Sequence, residues 1–468
     1  MDMKKIFVRQ NQSIKNTMKN IDENGLGLAL IIDKSEKLVG VATDGDIRRA
    51  VLGGTNLKNS IEKIMTKDPV TIKENWNEKE IKEMLSKKNV IKKIPSHGAI
   101  KIPVINDSGE VIDIIFASQH KVESLKQDTK VIKAKTRAIN NILIVGGAGY
   151  LGSVLSRQLL EKNYNVRVLD NLTYGDNGIK NLYDHPRFKF IKGDMRDIQT
   201  LVDAVKDIDA VIHLAAIVGD PASALDPKQT IEINYLATKI LAEVCKYSQI
   251  NRFIFASTCS VYGASPTPDA KIDEKSELNP VSLYAEMKRK SELALLEMAD
   301  ENFKPTILRM ATLYGLSPRM RFDLVVNILT IKAIKEKRFT IFGGDQWRPL
   351  LHVKDAANAY ITCLENPLNK SGKEIFNVGS NDENYKIINV GKTIKQIIPD
   401  SEMQIDEKNV DKRDYNVSFD KIKRELDFTT SFTINKGVVE IKKAVEKNMF
   451  RDYQRRIYNN FTFLKNVK

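Results

Sequence analysis

Residues 141–153 read NILIVGGAGYLGS, a short apolar run that passes directly into a turn with glycine at positions 146, 149 and 152. This pattern is typical of a buried β-strand that turns into a helix. Because glycine has no Cβ, backbone N–H groups at the start of the helix can approach a pyrophosphate, which the helix dipole also favours. The stretch therefore predicts a dinucleotide-binding turn, although three glycines alone are also compatible with an ordinary tight turn.

The segments after the turn alternate in the manner of a doubly wound parallel sheet. Short apolar strands are predicted within 165–170, 188–194, 209–216, 252–258 and 305–311, with helices between them, for example at 224–248 and 281–302. After about residue 315 the alternation becomes irregular, which indicates a smaller lobe over the C-terminal ends of the strands.

Asp170 ends the second predicted strand, about 20 residues after the glycine turn, where a carboxylate can accept hydrogen bonds from both hydroxyls of an adenosine ribose. A carboxylate there repels a 2′-phosphate, and no arginine follows immediately in DNLTYGD. The sequence therefore favours NAD over NADP.

Tyr284 and Lys288 lie four residues apart in VSLYAEMK, on one face of a predicted helix. A phenol with a pKa near 10 is a poor base at neutral pH unless a nearby cation stabilises the phenolate, and a lysine one turn away can supply that charge. The spacing alone is common on exposed helices. Upstream, the predicted strand RFIFAS ends at Thr258, whose hydroxyl is expected beside the tyrosine.

These features together closely resemble the extended short-chain dehydrogenase/reductase family, specifically its NAD-dependent nucleotide-sugar epimerases and dehydratases. The resemblance covers residues 141–450 and includes GGAGYLG, KGDMRD, HLAA, STCSVYG, YAEMK and LRMATLYG. It implies a Rossmann-type sheet with a small C-terminal substrate lobe, mainly from residue 315 onward, and NAD as cofactor. A nucleoside-diphosphate sugar is the implied substrate.

The resemblance also assigns roles to individual residues. Tyr284 would be the base and acid, Thr258 would orient a sugar hydroxyl, Lys288 would hold the nicotinamide ribose, and Arg348 would lie near the substrate diphosphate. The residues implied in cofactor binding are Gly146, Gly149, Tyr150, Leu151, Gly152, Asp170, Asn171, Asp194, Met195, Ala215, Ala216 and Lys288. His213, His352 and Cys259 are interpreted as packing residues, and Thr312 stands where the family often has asparagine.

The residues after Thr258 bear on the reaction. Related 4,6-dehydratases carry an Asp-Glu pair there, and sugar-acid decarboxylases usually carry a glutamate at the second place, but this chain has Cys259 and Ser260. Without those carboxylates, dehydration loses its acid and base. A 4-epimerase is therefore expected, with a reductase, dehydrogenase or dehydratase on a similar sugar as alternatives. A redox-inactive NAD-sensing regulator is the alternative of another class.

The first 125 residues contain two similar passages, at 27–51 and 101–119, which resemble a pair of cystathionine-β-synthase (CBS) domains of α+β type. In the first passage, GVATDGDIRR, the resemblance implies that Thr43 and Asp46 hold the ribose of an adenine nucleotide. The second passage has Phe116 and Gln119 at those places, so it is expected to lack the site. A purely structural dimerisation module is the alternative. Residues 126–140 are polar and basic and predict a linker.

Composition limits the remaining possibilities. The chain has 468 residues, enough for two or three domains, and a net charge of +14 that is spread mostly as single lysines, which indicates solvated surface rather than nucleic-acid binding. No apolar run approaches the ~18–20 residues of a membrane span, and residues 1–16 predict neither a signal peptide nor an anchor. Three scattered cysteines indicate a reducing cytoplasm and no metal site. We expect a homodimer or larger homo-oligomer.

Overall fold

The computed structural model describes residues 6–24, 26–43, 45–47, 50, 53–74, 76, 100–117, 122–124, 139–264, 269–300, 302–408, 411 and 413–465. The chain divides into two compact units, Met1–Thr136 and Arg137–Lys468. Most of the predicted linker lies outside the described residues.

The smaller unit contains the same arrangement of strands twice. Its first sheet has the order β1 (Phe7–Arg9), β2 (Leu28–Ile32), β3 (Leu38–Thr43), β4 (Thr66–Lys67), and its second has β5 (Ile72–Lys73), β6 (Ile100–Ile105), β7 (Val111–Ala117), β8 (Val122–Ser124). In each sheet the first pair is parallel and the next two pairs are antiparallel. Helix α1 (Ile14–Asn24) packs on the first sheet. The predicted internal repeat is confirmed.

The larger unit is built on a parallel sheet. Within the described residues its strands are β9 (Asn141–Val145), β10 (Asn165–Asp170), β11 (Phe188–Lys192), β12 (Ala210–His213), β13 (Arg252–Thr258), β15 (Lys304–Met310) and β19 (Glu374–Val378). They lie in the order β11-β10-β9-β12-β13-β15-β19, and all neighbours are parallel. The central strands β9 and β12 are buried along nearly their whole length because both faces of such a sheet are covered. The predicted doubly wound sheet is confirmed, and β19 is the strand that the sequence pattern did not single out.

The strand order reverses between β9 and β12, since the chain builds outward from β9 through β10 to β11 and then returns to β12. The loops that leave β9 and β12 diverge at this point, and the crevice between them is where open α/β sheets bind ligands.

The described helices of the larger unit are α2 (Tyr150–Glu161), α3 (Ile198–Ala204), α4 (Asp220–Ser223), α5 (Pro227–Ile231), α6 (Ala237–Tyr247), α7 (Leu283–Glu297), α8 (Val325–Lys335), α9 (Val353–Glu365), α10 (Leu368–Ser371), α11 (Ile387–Ile397), α12 (Asp420–Leu426), α13 (Ile434–Glu446) and α14 (Asn460–Lys465).

The single helix predicted for 224–248 is divided into α5 and α6 by a π-helical segment, Glu232–Leu236. The Asn234 side chain accepts from Ile217 N and donates to Ile217 O, at 2.8 and 2.9 Å, and so holds this turn against the loop after β12. Extra residues of this kind in a helix are frequent near functional sites.

The C-terminal lobe contains two further small sheets. One has the order β16 (Thr312–Tyr314), β18 (Trp347–His352), β20 (Asn384–Lys386), and the other pairs β17 (Arg338–Phe342) with β21 (Glu402–Asp406). A third pair, β14 (Lys271–Ile272) with β22 (Asn416–Val417), lies beside them. In the described part of the chain, no helix combines the length and apolar character needed to cross a membrane.

Candidate active site

A cavity of about 1110 Å³ opens at the carboxyl ends of β9, β10, β12 and β13. It is lined by every site residue that the sequence predicted in the larger unit, namely Gly146, Gly149, Tyr150, Leu151, Gly152, Asp170, Asn171, Asp194, Met195, Ala215, Ala216, Thr258, Tyr284, Lys288 and Arg348. The fold therefore brings together residues that lie up to about 200 positions apart.

The three glycines have different physical roles. Gly146 has φ +86°, and a Cβ there would lie 2.5 Å from Ala215 N. A Cβ on Gly152 would lie 2.6 Å from Gly147 Cα, so both positions require close backbone packing. Gly149 is the N-cap of α2 with φ −74°, and a Cβ there would contact only Gly146 O, at 3.5 Å. The space above Gly149 is thus an open cradle at a helix N-terminus, which suits a phosphate group.

Asp170 lies at the end of β10, directly beside this cradle. Its Oδ2 accepts from Ala148 N at 3.0 Å and its Oδ1 from Leu172 N at 2.8 Å, which fixes the carboxylate while each oxygen keeps a further lone pair. Burial raises the pKa of Asp170, and the two N–H donors and the charge of Arg319 oppose that shift.

The next cofactor-binding candidates flank the cradle on both sides. Asp194 forms an ion pair with Arg196 at 2.8 Å, and hydrogen bonds from Arg196 and Asn171 lower the pKa of Asp194. Met195 is buried, and Ala215 N donates to Val145 O at 2.8 Å, which ties the opposite wall to the end of β9.

The side chains of two predicted cofactor contacts, Tyr150 and Leu151, also take part in packing. The Tyr150 hydroxyl donates to Gly315 O at 2.6 Å and accepts from Asn327 Nδ2 at 3.2 Å, so its side chain anchors the loop after β16. Leu151 packs partly buried against the main core.

Thr258, Tyr284 and Lys288 meet on the other side of the cavity. Thr258 ends β13 and shares a side-chain hydrogen bond with Tyr284. Lys288 is buried on α7, where its Nζ donates to Ala256 O at 2.6 Å and lies 4.6 Å from the centre of the Phe255 ring. The tyrosine and lysine thus project from successive turns of one helix.

Burial favours the neutral form of both titratable side chains in this group. It raises the pKa of Tyr284, an effect to which the charge of Asp220 adds, while Arg321 and the hydrogen bond from Thr258 lower that pKa. Burial lowers the pKa of Lys288 to about 7, and the charge of Glu292 opposes the shift.

A buried ion pair anchors α7 to the sheet. Arg309 on β15 holds Glu292 of α7 through two guanidinium nitrogens, with Nη2 to Oε2 at 2.7 Å and both side chains almost fully buried. Ser257 also donates to Glu292 Oε1. Glu292 lies one turn beyond Lys288, so this pair fixes the face of α7 that carries the tyrosine and lysine.

The places where related dehydratases carry carboxylates are occupied differently here. Cys259 is buried and its Sγ donates to Arg309 O at 3.3 Å, while burial raises its pKa. Ser260 lines the cavity with its Oγ 3.4 Å from the Tyr415 hydroxyl.

The two histidines that the sequence analysis interpreted as packing residues are buried and hydrogen-bonded. His213 Nε2 is 2.9 Å from Thr238 Oγ1, and His352 Nε2 is 2.9 Å from Glu440 Oε2.

Arg348 belongs to a charged cluster on the substrate-lobe side. It is buried, and its Nη2 lies 2.9 Å from Asp411 Oδ2, an oxygen that Arg413 also binds. Arg413 Nη1 lies 3.3 Å from Asp220 Oδ2, and Ser282 Oγ donates to Asp220 Oδ1 at 2.8 Å. The two arginines lower the pKa of Asp411.

The sequence analysis did not identify Asp220, Asp411, Arg413, Arg319 or Arg321, all of which line the cavity. They come from three separate segments, the start of α4, the loop after β16 and the loop after β21, so no local spacing connects the three groups. The signal that the sequence did offer is the pair of arginines in SPRMR (317–321), inside an otherwise apolar region.

In the smaller unit, Thr43 and Asp46 bond to each other at the end of β3. Asp46 Oδ2 accepts from Thr43 Oγ1 at 2.7 Å and from Thr43 N at 2.9 Å. Gln119 lies outside the described residues, as does the side chain of Phe116. Among the described residues, no cluster of three or more His, Cys, Asp or Glu is placed to hold a metal ion.

Comparison with known sequences gives two family matches. The sequence profile of the NAD dependent epimerase/dehydratase family matches residues 142–379. The profile of the CBS domain matches residues 1–53 and 61–118.

Individual relatives are similar over the larger unit. The chain is 28% identical to UDP-glucose 4-epimerase of Bacillus subtilis over 280 residues, 55% of this chain and 81% of that protein. It is 30% identical to dTDP-glucose 4,6-dehydratase of Shigella flexneri over 339 residues, 65% and 91% of the two chains. Among solved structures, UDP-glucuronic acid 4-epimerase of Bacillus cereus, in complex with UDP-glucuronic acid and NAD, superposes with a TM-score of 0.58 at 27% identity, covering 66% of this chain and 99% of that one.

Proposed function

The chain belongs to the NAD dependent epimerase/dehydratase family, and from this premise we propose that its larger unit is an NAD-dependent nucleotide-sugar 4-epimerase. The observation that carries the proposal is the group formed by Thr258, Tyr284 and Lys288 in the same cavity as the glycine cradle, with Cys259 and Ser260 where a dehydratase carries carboxylates.

The residues around the cradle fit NAD. The open space above Gly149 would hold the diphosphate, Asp170 would bind the adenosine ribose hydroxyls, and Asp194 and Met195 would contact the adenine. Lys288 would hold the nicotinamide ribose. When bound, NAD supplies a reversible hydride acceptor beside C4 of the sugar.

The chain's own residues handle the proton. Tyr284 removes the proton from the 4-hydroxyl as the carbon is oxidised and returns it when the keto sugar, turned over in the cavity, is reduced on the opposite face. Thr258, hydrogen-bonded to Tyr284, orients that hydroxyl. Because burial favours neutral Tyr284 in the protein alone, proton removal at neutral pH relies on Arg321 and the hydrogen bond from Thr258, which lower the pKa of Tyr284, together with the charge that Lys288 would carry when protonated.

The arginine cluster supplies the site for the substrate's diphosphate. Arg348 and Arg413 share the carboxylate of Asp411, and Arg413 also contacts Asp220, so the cluster places two guanidinium groups on the substrate-lobe side of the cavity, balanced by two carboxylates. Guanidinium groups bind diphosphate oxygens in two-point contacts, and here they would fix the nucleotide while the sugar remains free to turn.

Dehydration is the second candidate, because the chain is also similar to dTDP-glucose 4,6-dehydratase over most of that enzyme's length. Asp220 is a carboxylate on the cavity wall whose charge acts on Tyr284, but it is already bound to Ser282 and Arg413. A net reductase or dehydrogenase would need to exchange its cofactor in each cycle, and a redox-inactive sensor would not need Thr258, Tyr284 and Lys288 together.

The purified protein should therefore be incubated with UDP-, GDP-, CDP- and dTDP-hexoses and the products followed by NMR. We expect one sugar to reach an equilibrium with its 4-epimer, and NAD to be present in the protein as purified. A 4-keto-6-deoxy product would identify a dehydratase, and stoichiometric NADH formation would identify a dehydrogenase. No conversion of any sugar by NAD-loaded protein would favour the sensor.

For the smaller unit we propose an adenine-nucleotide site at Thr43 and Asp46. Both side chains lie at the end of β3, where the Thr43 hydroxyl and the Asp46 carboxylate are adjacent and can be shared by ribose hydroxyls. The site would regulate the epimerase, with dimerisation as the alternative role of the unit.

A further inference from the structure

The last described segment of the chain, residues 458–465, closes one end of the cavity. It is bound to the loop after β16 by three hydrogen bonds: Phe322 N to Tyr458 O at 2.8 Å, Asn460 N to Asp323 Oδ2 at 3.0 Å, and Arg319 Nη2 to Asn460 Oδ1 at 2.7 Å. Asn459, Asn460, Phe461 and Leu464 line the cavity. We call residues 458–465 the lid segment.

The position of the lid segment follows from its contacts and the strand order. Phe463 lies 5.4 Å, centre to centre, from the ring of Tyr174 in the loop after β10. Helix α14 also packs against α4, in the loop after β12. Because β9 lies between β10 and β12 in the sheet, a segment that contacts the loops of both neighbours lies across the glycine turn that follows β9.

Arg319 is the residue that connects the lid segment to this turn. Its loop packs on the first turn of α2, since Ser317 Oγ donates to Tyr150 O at 2.6 Å and lies 3.0 Å from Ser153 Oγ. The guanidinium is stacked 4.5 Å from the centre of the Tyr174 ring, and the charges of Arg319 and Asp170 interact.

The hydrogen bonding of Arg319 is incomplete. The side chain is buried, lines the cavity, and its Nε has no hydrogen-bond partner among the described residues. Neighbouring Arg321 is bound by Asp323 through two contacts of 2.9 and 3.0 Å, whereas no ion pair of Arg319 is seen in the described part of the chain. Burial and the charge of Arg321 lower the pKa of Arg319 to about 10, as expected for a cation that lacks an anion.

We propose that the lid segment covers the diphosphate of the bound dinucleotide and that Arg319 binds the diphosphate and the lid segment together, so that the cofactor is retained through many turnovers. An anion at the N-terminus of α2 satisfies the buried guanidinium, and the satisfied guanidinium holds Asn460 in place. The identity of the anion rests on the proposed function. Retention suits an epimerase, in which NAD is regenerated within each cycle, and opposes a dehydrogenase that must exchange it.

The test measures the exchange of bound NAD for the fluorescent analogue etheno-NAD in the full-length protein, in the absence of any sugar. Phe463→Ala removes the ring contacts with Tyr174 and Arg456 and should accelerate exchange by about tenfold or more. Arg319→Gln removes the charge and should also weaken NAD affinity by roughly 10- to 100-fold, with Arg319→Lys intermediate. Arg424→Gln, at an exposed position of α12, is the control and should exchange like the parent.

Unfolding temperatures of all variants separate lid loss from misfolding. Folded Phe463→Ala with parental exchange would overturn the lid. Folded Arg319→Gln with parental NAD affinity would overturn the contact with the diphosphate. If Arg319→Gln does not fold, Arg319→Lys and Phe463→Ala decide the matter. Protein that binds no NAD at all would refute the proposed function, whereas NAD that binds and exchanges freely in every variant would refute only the lid.

Discussion

At the scale of single residues, the proposed proton-handling group combines two side chains whose neutral forms are both favoured by burial. Tyr284 is a phenol whose pKa is raised, and Lys288 is an amine whose pKa is lowered to about 7. Burial outweighs the neighbouring groups that stabilise the charged forms, namely Arg321 and Thr258 for the tyrosine and Glu292 for the lysine.

Replacing Tyr284 by phenylalanine removes the proton acceptor and keeps the ring. We expect the turnover number to fall by about 10²–10⁴-fold with NAD affinity nearly unchanged, because the hydroxyl acts on the sugar rather than on the dinucleotide. Product NMR and calorimetry with NAD measure the two effects. Tyr247→Phe, at an exposed position on α6, is the matched control. Near-parental turnover in Tyr284→Phe would place the chemistry elsewhere.

The pKa of Lys288 predicts how stability changes with pH in the cofactor-free protein. Below pH 7 the lysine is protonated in both folded and unfolded chains, so the full cost of burying the charge is present. Between pH 7 and the unfolded value near 10.5 only the unfolded chain keeps the proton, so the cost falls as pH rises. Urea unfolding of Lys288→Met should show an advantage over the parent that is largest below pH 7 and shrinks with rising pH. Lys290→Met, at an exposed position of α7, should show no such trend.

At the scale of elements, the three glycines of the turn serve two purposes. Two of them allow close packing of the backbone, and the third leaves room for a ligand. Gly146 and Gly152 are required by close backbone contacts, which stabilise the packing of α2 on the sheet. Gly149 has ordinary φ and open space above it, so its lack of a side chain benefits a ligand rather than the fold.

Alanine substitutions at these glycines should therefore have opposite consequences. Gly149→Ala should keep the parental unfolding free energy and lose about tenfold or more in NAD affinity, because the new methyl group occupies the diphosphate cradle. Gly146→Ala should lower the unfolding free energy by at least about 1–3 kcal/mol, since it forces alanine into φ +86° against Ala215. Chemical denaturation and NAD titration test both, and a reversal of the two phenotypes would contradict the assignment.

The elements that the sequence predicted well are those with strong local patterns. Strands β9 to β13 and β15 are short, largely apolar segments bounded by turns, and they were predicted with errors of a few residues at their ends. The π-segment was missed because it depends on the contact of Asn234 with Ile217, which sequence spacing does not reveal. The charged cluster of Arg348, Asp411 and Arg413 was found only in part for the same reason, since these residues meet through tertiary packing alone.

At the scale of the whole molecule, the chain joins a nucleotide-sugar family domain to a unit that matches two CBS domains. The twofold repeat of the smaller unit was visible in the sequence because each copy keeps its own hairpin of apolar strands. Its ligand and its effect on the larger unit were not, since a regulatory effect depends on differences in affinity between two states rather than on a local pattern.

We expect that an adenine nucleotide bound at Thr43 and Asp46 changes turnover by a factor between about 5 and 150, which corresponds to a coupling free energy of about 1–3 kcal/mol. In the full-length protein, Thr43→Val with Asp46→Ala should abolish this effect and leave NAD affinity unchanged. Turnover measured against ATP, ADP and AMP provides the test, with Thr55→Val as a control outside β3. If no nucleotide alters turnover or thermal stability in the parent protein, the unit is a scaffold.

Because the ion pair of Arg309 and Glu292 is buried, ionic strength should affect it less than it affects the partly exposed arginines of the cavity. Dissolved ions screen charges that face water over distances of about 8–10 Å at physiological salt, but they do not enter the interior where this pair holds α7. Arg413, by contrast, is about one third exposed at the proposed site of the substrate diphosphate. Added salt should therefore raise the KM for the nucleotide sugar while kcat stays nearly constant. At high ionic strength the protein would bind its substrate more weakly but convert bound substrate at an unchanged rate.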